Sequence, residues 1–163
     1  MFFEDVELGR ANELGSFTFT AEEIKRFALR YDPQPFHIDE EAAARSMYGG
    51  LIASGWHVAA IWMKLTVASR SRIGAARLGP SPGFRNMGWL KPVRAGDTLA
   101  FFSEPIEKKT SASRPQWGLV MMSNGARNQA GDLAFRFDGV VFWERRTPRD
   151  SDDTGMVRSG TPG

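Results

Sequence analysis

The feature that most constrains the fold is the apolar run from Trp56 to Met63, which continues less strictly to Ala68. Built as a helix, this run has apolar side chains on every side, with His57 as its single interruption. A helix that is apolar all round is typical of a buried helix, so we expect a central helix with a sheet wrapped about it. The glycine-rich turn 49–55 precedes it, and the helix start should offer free backbone amides, those of Gly55 and Trp56 among them.

The second half of the chain predicts strands, because apolar and polar residues alternate there between turn signals. The predicted strands cover 83–90, 98–106, 117–128 and 132–144. In the last of them we expect Leu133, Phe135 and Phe137 on a buried face and Ala134, Arg136 and Asp138 on a wet one. With 163 residues, of which 42% are hydrophobic, the chain can bury one core. We therefore predict a single α+β domain with an antiparallel sheet.

The first half predicts an irregular lead-in over 1–15, a short strand over 16–19 and then a helix from Ala21 to Arg30. Thr20 and Glu23 have the spacing of a capping box at the start of that helix. The Asp-Pro pair at 32–33 stops it. Asp32 is thereby placed at a helix C-terminus, where the helix dipole should raise the pKa of its carboxyl.

The segment 30–41 combines Asp32, His37 and two prolines, and we expect it to be neither helix nor regular strand. Because prolines fix their own backbone and restrict the preceding residue, the loop should be stiff. An imidazole and a carboxylate held together there can share a water molecule in acid–base chemistry. The alternative is ordinary turn chemistry, with the histidine capping or packing.

The acids that follow predict a helix cap better than a metal site. Asp39 is a candidate N-cap for a short helix through Arg45, with Glu40 and Glu41 in its first turn. A site built from Asp32, His37, Asp39 and Glu41 would lack the spacing of known ligand motifs, so we expect no metal.

Composition excludes several classes of protein. The 21 Lys and Arg residues against 19 Asp and Glu give a charge of +2, which does not indicate nucleic-acid binding. Without cysteine there is no disulfide or thiolate chemistry. Acids near the N-terminus, and the absence of an apolar run long enough for a membrane span, predict a cytoplasmic protein. The polar tail 147–163 should be disordered.

Taken together, these motifs resemble the MaoC-like dehydratase family of the hotdog fold, which includes the (R)-specific enoyl-CoA hydratases. The segment 32–39 is similar to the family's D-x-N-P-x-H motif, with Asp32, Pro35 and His37 in register. The segments 50–55 and 91–99 resemble its G-x-x-A-x-G turn and its P-V-x-x-G-D stretch. The resemblance covers roughly 4–144, and the hotdog domain is assigned to 1–146.

Two positions depart from the family pattern. Gln34 replaces the Asn of the hydratase motif, which puts the substrate class in question more than the catalytic pair. Ser54 replaces a histidine often found before the turn glycine, and we interpret this change as neutral for mechanism.

The resemblance implies reversible syn hydration of a trans-2-enoyl-CoA. Asp32 and His37 would hold the water, and the Gly55 amide would bind the thioester oxygen. CoA would be part of the substrate, no metal or organic cofactor would be needed, and the chain would form a homodimer or a larger homo-oligomer.

The resemblance also suggests residues that contact the substrate. The predicted binding residues are Gln34, Pro35, Phe36, Ser54, Trp56, Arg85 and Arg94. Trp62 and Trp89 are further candidates for the acyl pocket, with plain core packing as the alternative. The CoA phosphates could meet Arg85, Arg94 or the basic connector within 69–82, which holds Arg70, Arg72 and Arg77.

Two other functions remain open at this point. A hotdog thioesterase would use the same fold and the same CoA handle but would direct water to the carbonyl. A non-catalytic acyl-CoA binding subunit would require that Gln34 or the pocket shape has disabled the site.

Overall fold

The computed structural model describes residues 1–72, 74 and 77–147, and in them one antiparallel sheet packs against a long helix. The strands are β1 Asn12–Thr18, β2 Phe84–Trp89, β3 Thr98–Thr110, β4 Trp117–Arg127 and β5 Leu133–Glu144. The helices are α1 Ala21–Tyr31, α2 Pro35–Ile38, α3 Glu40–Arg45 and α4 Gly55–Arg72, after a 3-10 turn at Phe3–Asp5. The strand order is β1-β3-β4-β5-β2, and all neighbours are antiparallel, which confirms the α+β prediction.

Both predicted N-caps form, but the capping box at α1 is incomplete because the Glu23 carboxylate accepts from Arg26 and not from the Thr20 amide. The Thr20 hydroxyl accepts a hydrogen bond from the Glu23 amide at 3.2 Å, and α1 begins at the next residue, Ala21. The Asp39 carboxylate accepts from the Ala42 amide at 2.8 Å and caps α3. These local bonds satisfy amides that a helix start leaves free, so they position both helices that flank the segment 30–41.

Several predicted boundaries and faces were wrong. The segment 30–41 does contain a helix, α2, because Pro35 is well suited to a first helical position. The lead-in 1–15 contributes a 3-10 turn and the start of β1, and α4 runs to Arg72 inside the predicted connector. Ala134 was expected on the wet face of β5 but is buried, because its side chain packs in the larger core cluster.

The prediction that the central helix is buried on all sides was also wrong. Val58 and Ile61 face the core, whereas Trp56, Met63 and Val67 are each at least half exposed. These three lie at spacings of seven and four residues, which form one stripe along a helix. A single sheet covers only one side of α4, so the stripe remains uncovered in one chain.

The core has two parts. The larger part joins α4 to β1, β3 and β5 through side chains that include Leu14, Phe101 and Phe135. The smaller part lies at the far end of the sheet and holds Phe3, Val6, Val120 and Trp143. Residues of the predicted irregular lead-in therefore cover one end of the sheet.

Of the remaining predictions, one falls at and beyond the end of the described chain and the other concerns membrane spans. The predicted disordered tail 147–163 lies, apart from residue 147, outside the described residues. Within the described ranges, no helix is both long and apolar enough to cross a membrane.

His57 is the one polar residue in the apolar run 56–63 of α4, and its ring lies among aromatic side chains. Its ring stacks on Phe27 with centroids 4.5 Å apart and makes edge contacts with Phe17 and Phe19. The side chain is 3% exposed, and Nδ1 has no hydrogen-bond partner among the described residues. Burial lowers its pKa from 6.5 to about 4, with Glu23 opposing and Arg26 adding to the shift. The native state therefore disfavours protonated His57.

We predict that His57 makes the protein less stable in acid. In the unfolded state His57 binds a proton below pH 6.5, whereas in the native state it does so only below pH about 4. The free energy of unfolding should therefore fall as the pH drops from 6.5 to about 4. The loss should approach about 3 kcal/mol. Urea unfolding of the wild type and His57→Phe across this range checks it, and the variant should lack this component. An equal pH dependence in both proteins would contradict the assignment.

Candidate active site

The end of α1 and the start of α2 bring Asp32 and His37 together. Asp32 caps α1, and its amide donates to the Ala28 carbonyl at 2.9 Å. The chain then turns through two prolines into α2, which carries His37 as its one buried residue. The His37 Nε2 and the Asp32 Oδ2 lie 3.4 Å apart. The predicted pair is therefore adjacent, and its carboxylate is partly exposed.

The Asp32 carboxylate receives two hydrogen bonds from neighbouring side chains. Ser54 Oγ donates to Oδ2 at 2.6 Å, and Gln34 Nε2 donates to Oδ1 at 2.8 Å. Burial raises the pKa of Asp32, but the bonds from Ser54 and Gln34 and the charge of His37 outweigh it and hold the pKa below its usual value. The predicted rise in the pKa of Asp32 was therefore wrong.

The His37 ring is fixed by a backbone carbonyl that the sequence did not reveal. Nδ1 lies 2.7 Å from the Ile52 carbonyl oxygen. Since a carbonyl only accepts, Nδ1 is assigned the proton of this hydrogen bond. The other nitrogen, Nε2, faces Asp32 and is the atom free to exchange a proton with a substrate.

Ser54 has a structural and electrostatic role that the sequence analysis missed. The residue is fully buried, and while it donates to Asp32 its oxygen accepts from the Trp56 amide at 3.2 Å. One hydroxyl can do both. A serine directly before a helix is an N-cap signal, so its position could have been recognised from the sequence. The interpretation of Ser54 as neutral for mechanism rested on the family comparison and overlooked this signal.

The first turn of α4 leaves the Gly55 amide available. The amides of Trp56, His57 and Val58 bond to Ser54, so the prediction of a free Trp56 amide was wrong. No described residue accepts a hydrogen bond from the Gly55 amide. The indole of Trp89 packs against Gly55, and its Nε1 donates to the Gly55 carbonyl at 2.9 Å. A Cβ added at Gly55 would overlap the Trp89 ring.

The aromatic candidates divide between the segment 30–41 and the start of α4. Phe36 packs edge-on against the His37 ring, with centroids 4.5 Å apart, and against Tyr48. Trp56 is 55% exposed and packs edge-on against Trp89. Pro35, the first residue of α2, is exposed. Their contacts with a substrate stay predictions.

The two arginine candidates lie in different surroundings. Arg94 donates to the Tyr48 carbonyl at 2.7 Å and so fastens the turn that leads to Ile52. Arg85 is exposed on β2 and lines a small cleft of about 300 Å³ with Asp138. Binding of a CoA phosphate by either arginine stays a prediction.

A large cavity with a volume of about 790 Å³ lies beside α4. Trp56 and Trp62 line it, together with Met87 of β2 and the inward face of β5. Asp32 and His37 do not line it. The polar pair and the apolar cavity are therefore separate features of one chain, joined by the first turn of α4.

This arrangement can orient a water molecule and exchange protons with it. The 3.4 Å separation exceeds a normal N–H···O hydrogen bond, so both atoms retain capacity for a third partner. A water bound between the two side chains would contact a carboxylate kept ionised and an imidazole held in a fixed orientation. The free Gly55 amide at the positive end of an 18-residue helix can stabilise an oxyanion nearby.

Comparisons with known proteins agree with the architecture and the motifs. A MaoC-like dehydratase from Rhodospirillum rubrum is 38% identical, with a TM-score of 0.82 and coverage of 90% of this chain and 99% of that one. A structure described as a monoamine oxidase regulatory protein from Archaeoglobus fulgius is 27% identical, with a TM-score of 0.78 and coverage of 91% and 96%.

A sequence relative and a family model extend this agreement. The uncharacterized protein YdeM of Bacillus subtilis (strain 168) is 29% identical over 145 residues, which are 89% of this chain and all of that protein. The family model described as the MaoC like domain matches residues 7–117, more than half of the chain. Both the fold and the sequence thus lead to one assignment: the chain belongs to the MaoC-like dehydratase family.

Proposed function

We propose that the protein catalyses the reversible syn addition of water to a trans-2-enoyl-CoA, giving a 3-hydroxyacyl-CoA. One observation carries this proposal: the Asp32 carboxylate, held by Ser54 and Gln34, lies 3.4 Å from His37 Nε2. A carboxylate and an imidazole at this separation can act on the same water and the same substrate face. The family assignment supports a dehydratase-type reaction.

The proton transfers follow from the fixed orientations. Asp32 takes a proton from the water while the oxygen of that water bonds to the β-carbon of the substrate. The electrons of the double bond move toward the thioester oxygen. His37 then gives the proton on Nε2 to the α-carbon, while Nδ1 keeps its bond to the Ile52 carbonyl. The proton on Asp32 returns to Nε2, which restores both groups. Because Asp32 and His37 act on the same face of the bound substrate, the hydroxyl and the proton are added from one side and the addition is syn.

The thioester oxygen gains negative charge during this reaction, and the Gly55 amide is the donor we assign to it. Three neighbouring amides already bond to Ser54, so Gly55 is the one in this turn that needs a partner. A preorganised donor of this kind contributes on the order of a hundredfold or more in rate. The proposed steps need no metal or organic cofactor, since water, substrate and the two side chains balance the protons.

We also propose that the active protein is a homodimer. The strand β2 is an edge of the sheet and carries the exposed Phe84 and Trp89, and α4 carries the uncovered stripe of Trp56, Met63 and Val67. A second copy paired along β2 would remove an open strand edge and cover apolar surface. The alternatives to hydration, thioester hydrolysis and acyl-CoA binding without turnover, remain as outcomes of the experiments below.

Asp32→Asn should abolish most turnover, because the amide keeps the shape of the side chain but cannot take a proton from water. We expect a loss of roughly 10²–10⁴-fold in the decay of enoyl-thioester absorbance. The panel consists of crotonyl-CoA and longer or branched enoyl-CoAs.

The matched control is Asp39→Asn, which changes the same residue type in the same segment, where asparagine caps a helix as well as aspartate does. It should retain turnover. Turnover by Asp32→Asn at the wild-type rate would place the chemistry elsewhere. Binding of the CoA thioesters without turnover by the wild type would favour the binding-subunit alternative.

Removing either hydrogen-bond donor to Asp32 should move the acid limb of the pH–rate profile to higher pH. Ser54 and Gln34 lower the pKa of Asp32, so its carboxylate protonates at higher pH in Ser54→Ala or Gln34→Ala. The profile of kcat/KM for the preferred enoyl-CoA measures this shift. Ser16→Ala, on the exposed face of β1, is the control. Unmoved acid limbs in both donor variants would show that Asp32 is not the titrating base.

A further inference from the structure

Gly55, the first residue of α4, carries the amide that we assign to the thioester oxygen. A glycine has no side chain to restrict its backbone, so at a helix start its amide keeps one direction only if neighbouring groups hold it. Ser54 holds the preceding side, because its hydroxyl donates to Asp32 and accepts from the Trp56 amide. The Gly55 residue itself needs a second hold.

The indole of Trp89 supplies that hold through two contacts of different kinds. Its Nε1 donates to the Gly55 carbonyl at 2.9 Å. Its ring also occupies the side of Gly55 on which other residues carry a Cβ, since an added Cβ would lie 2.6 Å from Nε1 and 2.7 Å from Cδ2. Only glycine fits beneath this ring, and the hydrogen bond and the ring together restrict rotation of the Gly55 backbone.

Trp89 is itself fixed to the sheet. It ends β2 opposite Phe135 of β5, and the two rings stack with centroids 6.4 Å apart. Phe135 is fully buried, and the amide of the next residue, Leu90, donates to the Ala134 carbonyl at 2.8 Å. The indole therefore ties the first turn of α4 to a buried strand.

Burial alone does not account for the contact between Trp89 and Gly55. Trp89 is 44% exposed, so its ring gains less from leaving water than a core tryptophan does. In an α-helix the first carbonyl already accepts from the amide four residues later, so the Gly55 carbonyl does not need a second donor. The indole bond thus fixes the geometry of this turn without being required to satisfy a buried group.

We infer that Trp89 is a positioning residue for the hydration: its indole holds Gly55 so that the amide stays directed at the thioester oxygen. The inference rests on the proposed function and adds a residue that acts through another. A misplacement of about 1 Å can cost about a hundredfold in rate, so the hold on Gly55 acts on the transition state more than on substrate binding. If Trp89 instead lined the acyl pocket, its loss would change KM in a way that depends on acyl length.

Trp89→Phe keeps an aromatic ring and removes the donor to Gly55. We expect kcat for crotonyl-CoA and for longer enoyl-CoAs to fall by the same factor, roughly tenfold, with KM changed by less than about twofold. Trp117→Phe is the matched control: Trp117 lies opposite Glu144 and Trp89 opposite Phe135, about 30 Å apart along β5 at ~3.3 Å per residue. It should leave both constants unchanged. A wild-type kcat in Trp89→Phe, or a loss that varies with acyl length, would overturn the inference.

A double-mutant cycle tests whether Trp89 and Gly55 act through their contact. Gly55→Ala retains the backbone amide, and Gly55 has a negative φ that alanine adopts, but the new Cβ would displace the indole. Gly55→Ala should therefore lower kcat about as much as Trp89→Ala. Without the indole the Cβ has room, so the double variant should be no slower than Trp89→Ala. Losses that multiply would show independent effects, such as a weaker contact with a second copy along β2, and would overturn the inference.

The order of the Gly55 amide separates this inference from the proposed hydration. In ¹⁵N-glycine-labelled protein without substrate, its NMR order parameter should be about 0.85 in the wild type and fall toward about 0.6 in Trp89→Ala. Gly118, within β4, is the reference and should not change. If the wild type hydrates none of the enoyl-CoAs, the proposed function fails and this measurement decides the inference alone. A fall confined to Gly55 supports it, and equal order in both proteins overturns it.

Discussion

The hydrogen bond from Ser54 to Asp32 is the contact on which the rest of the site depends. Ser54 lies at the start of α4, and Asp32 lies at the end of α1, so this bond of 2.6 Å joins the central helix to the segment 30–41. The Ser54 hydroxyl also accepts from the Trp56 amide, and the Ser54 carbonyl accepts from the amides of His57 and Val58. The hydroxyl helps keep the pKa of Asp32 low. One buried serine thus links the position and the charge of Asp32 to the first turn of α4.

The long helix α4 borders two different environments along its length. Its first turn presents the Gly55 amide beside the polar pair, and its next turns form one wall of the apolar cavity. The opposite wall is β5, whose glycine and smaller residues between Phe137 and Trp143 leave space that larger side chains would fill. The sheet's far end is closed by the N-terminal residues packed on Val120 and Trp143. A reactive end and an apolar end follow from one packing arrangement.

The sequence predicted those parts that depend on local signals. The caps at Thr20 and Asp39, the strands and the pairing of Asp32 with His37 were readable because each depends on residue types at short spacing. The parts that depend on distant contacts were not. The Ile52 carbonyl that fixes His37 and the uncovered face of α4 appear only when the elements pack.

The central claim is that the pair adds water across a double bond and leaves the thioester intact. Mass and NMR analysis of the product formed from crotonyl-CoA in D₂O tests it most directly. We expect intact 3-hydroxybutyryl-CoA with a single deuterium on the α-carbon, placed syn to the new hydroxyl. Release of free CoA with the double bond retained would contradict it and would assign the site to thioester hydrolysis.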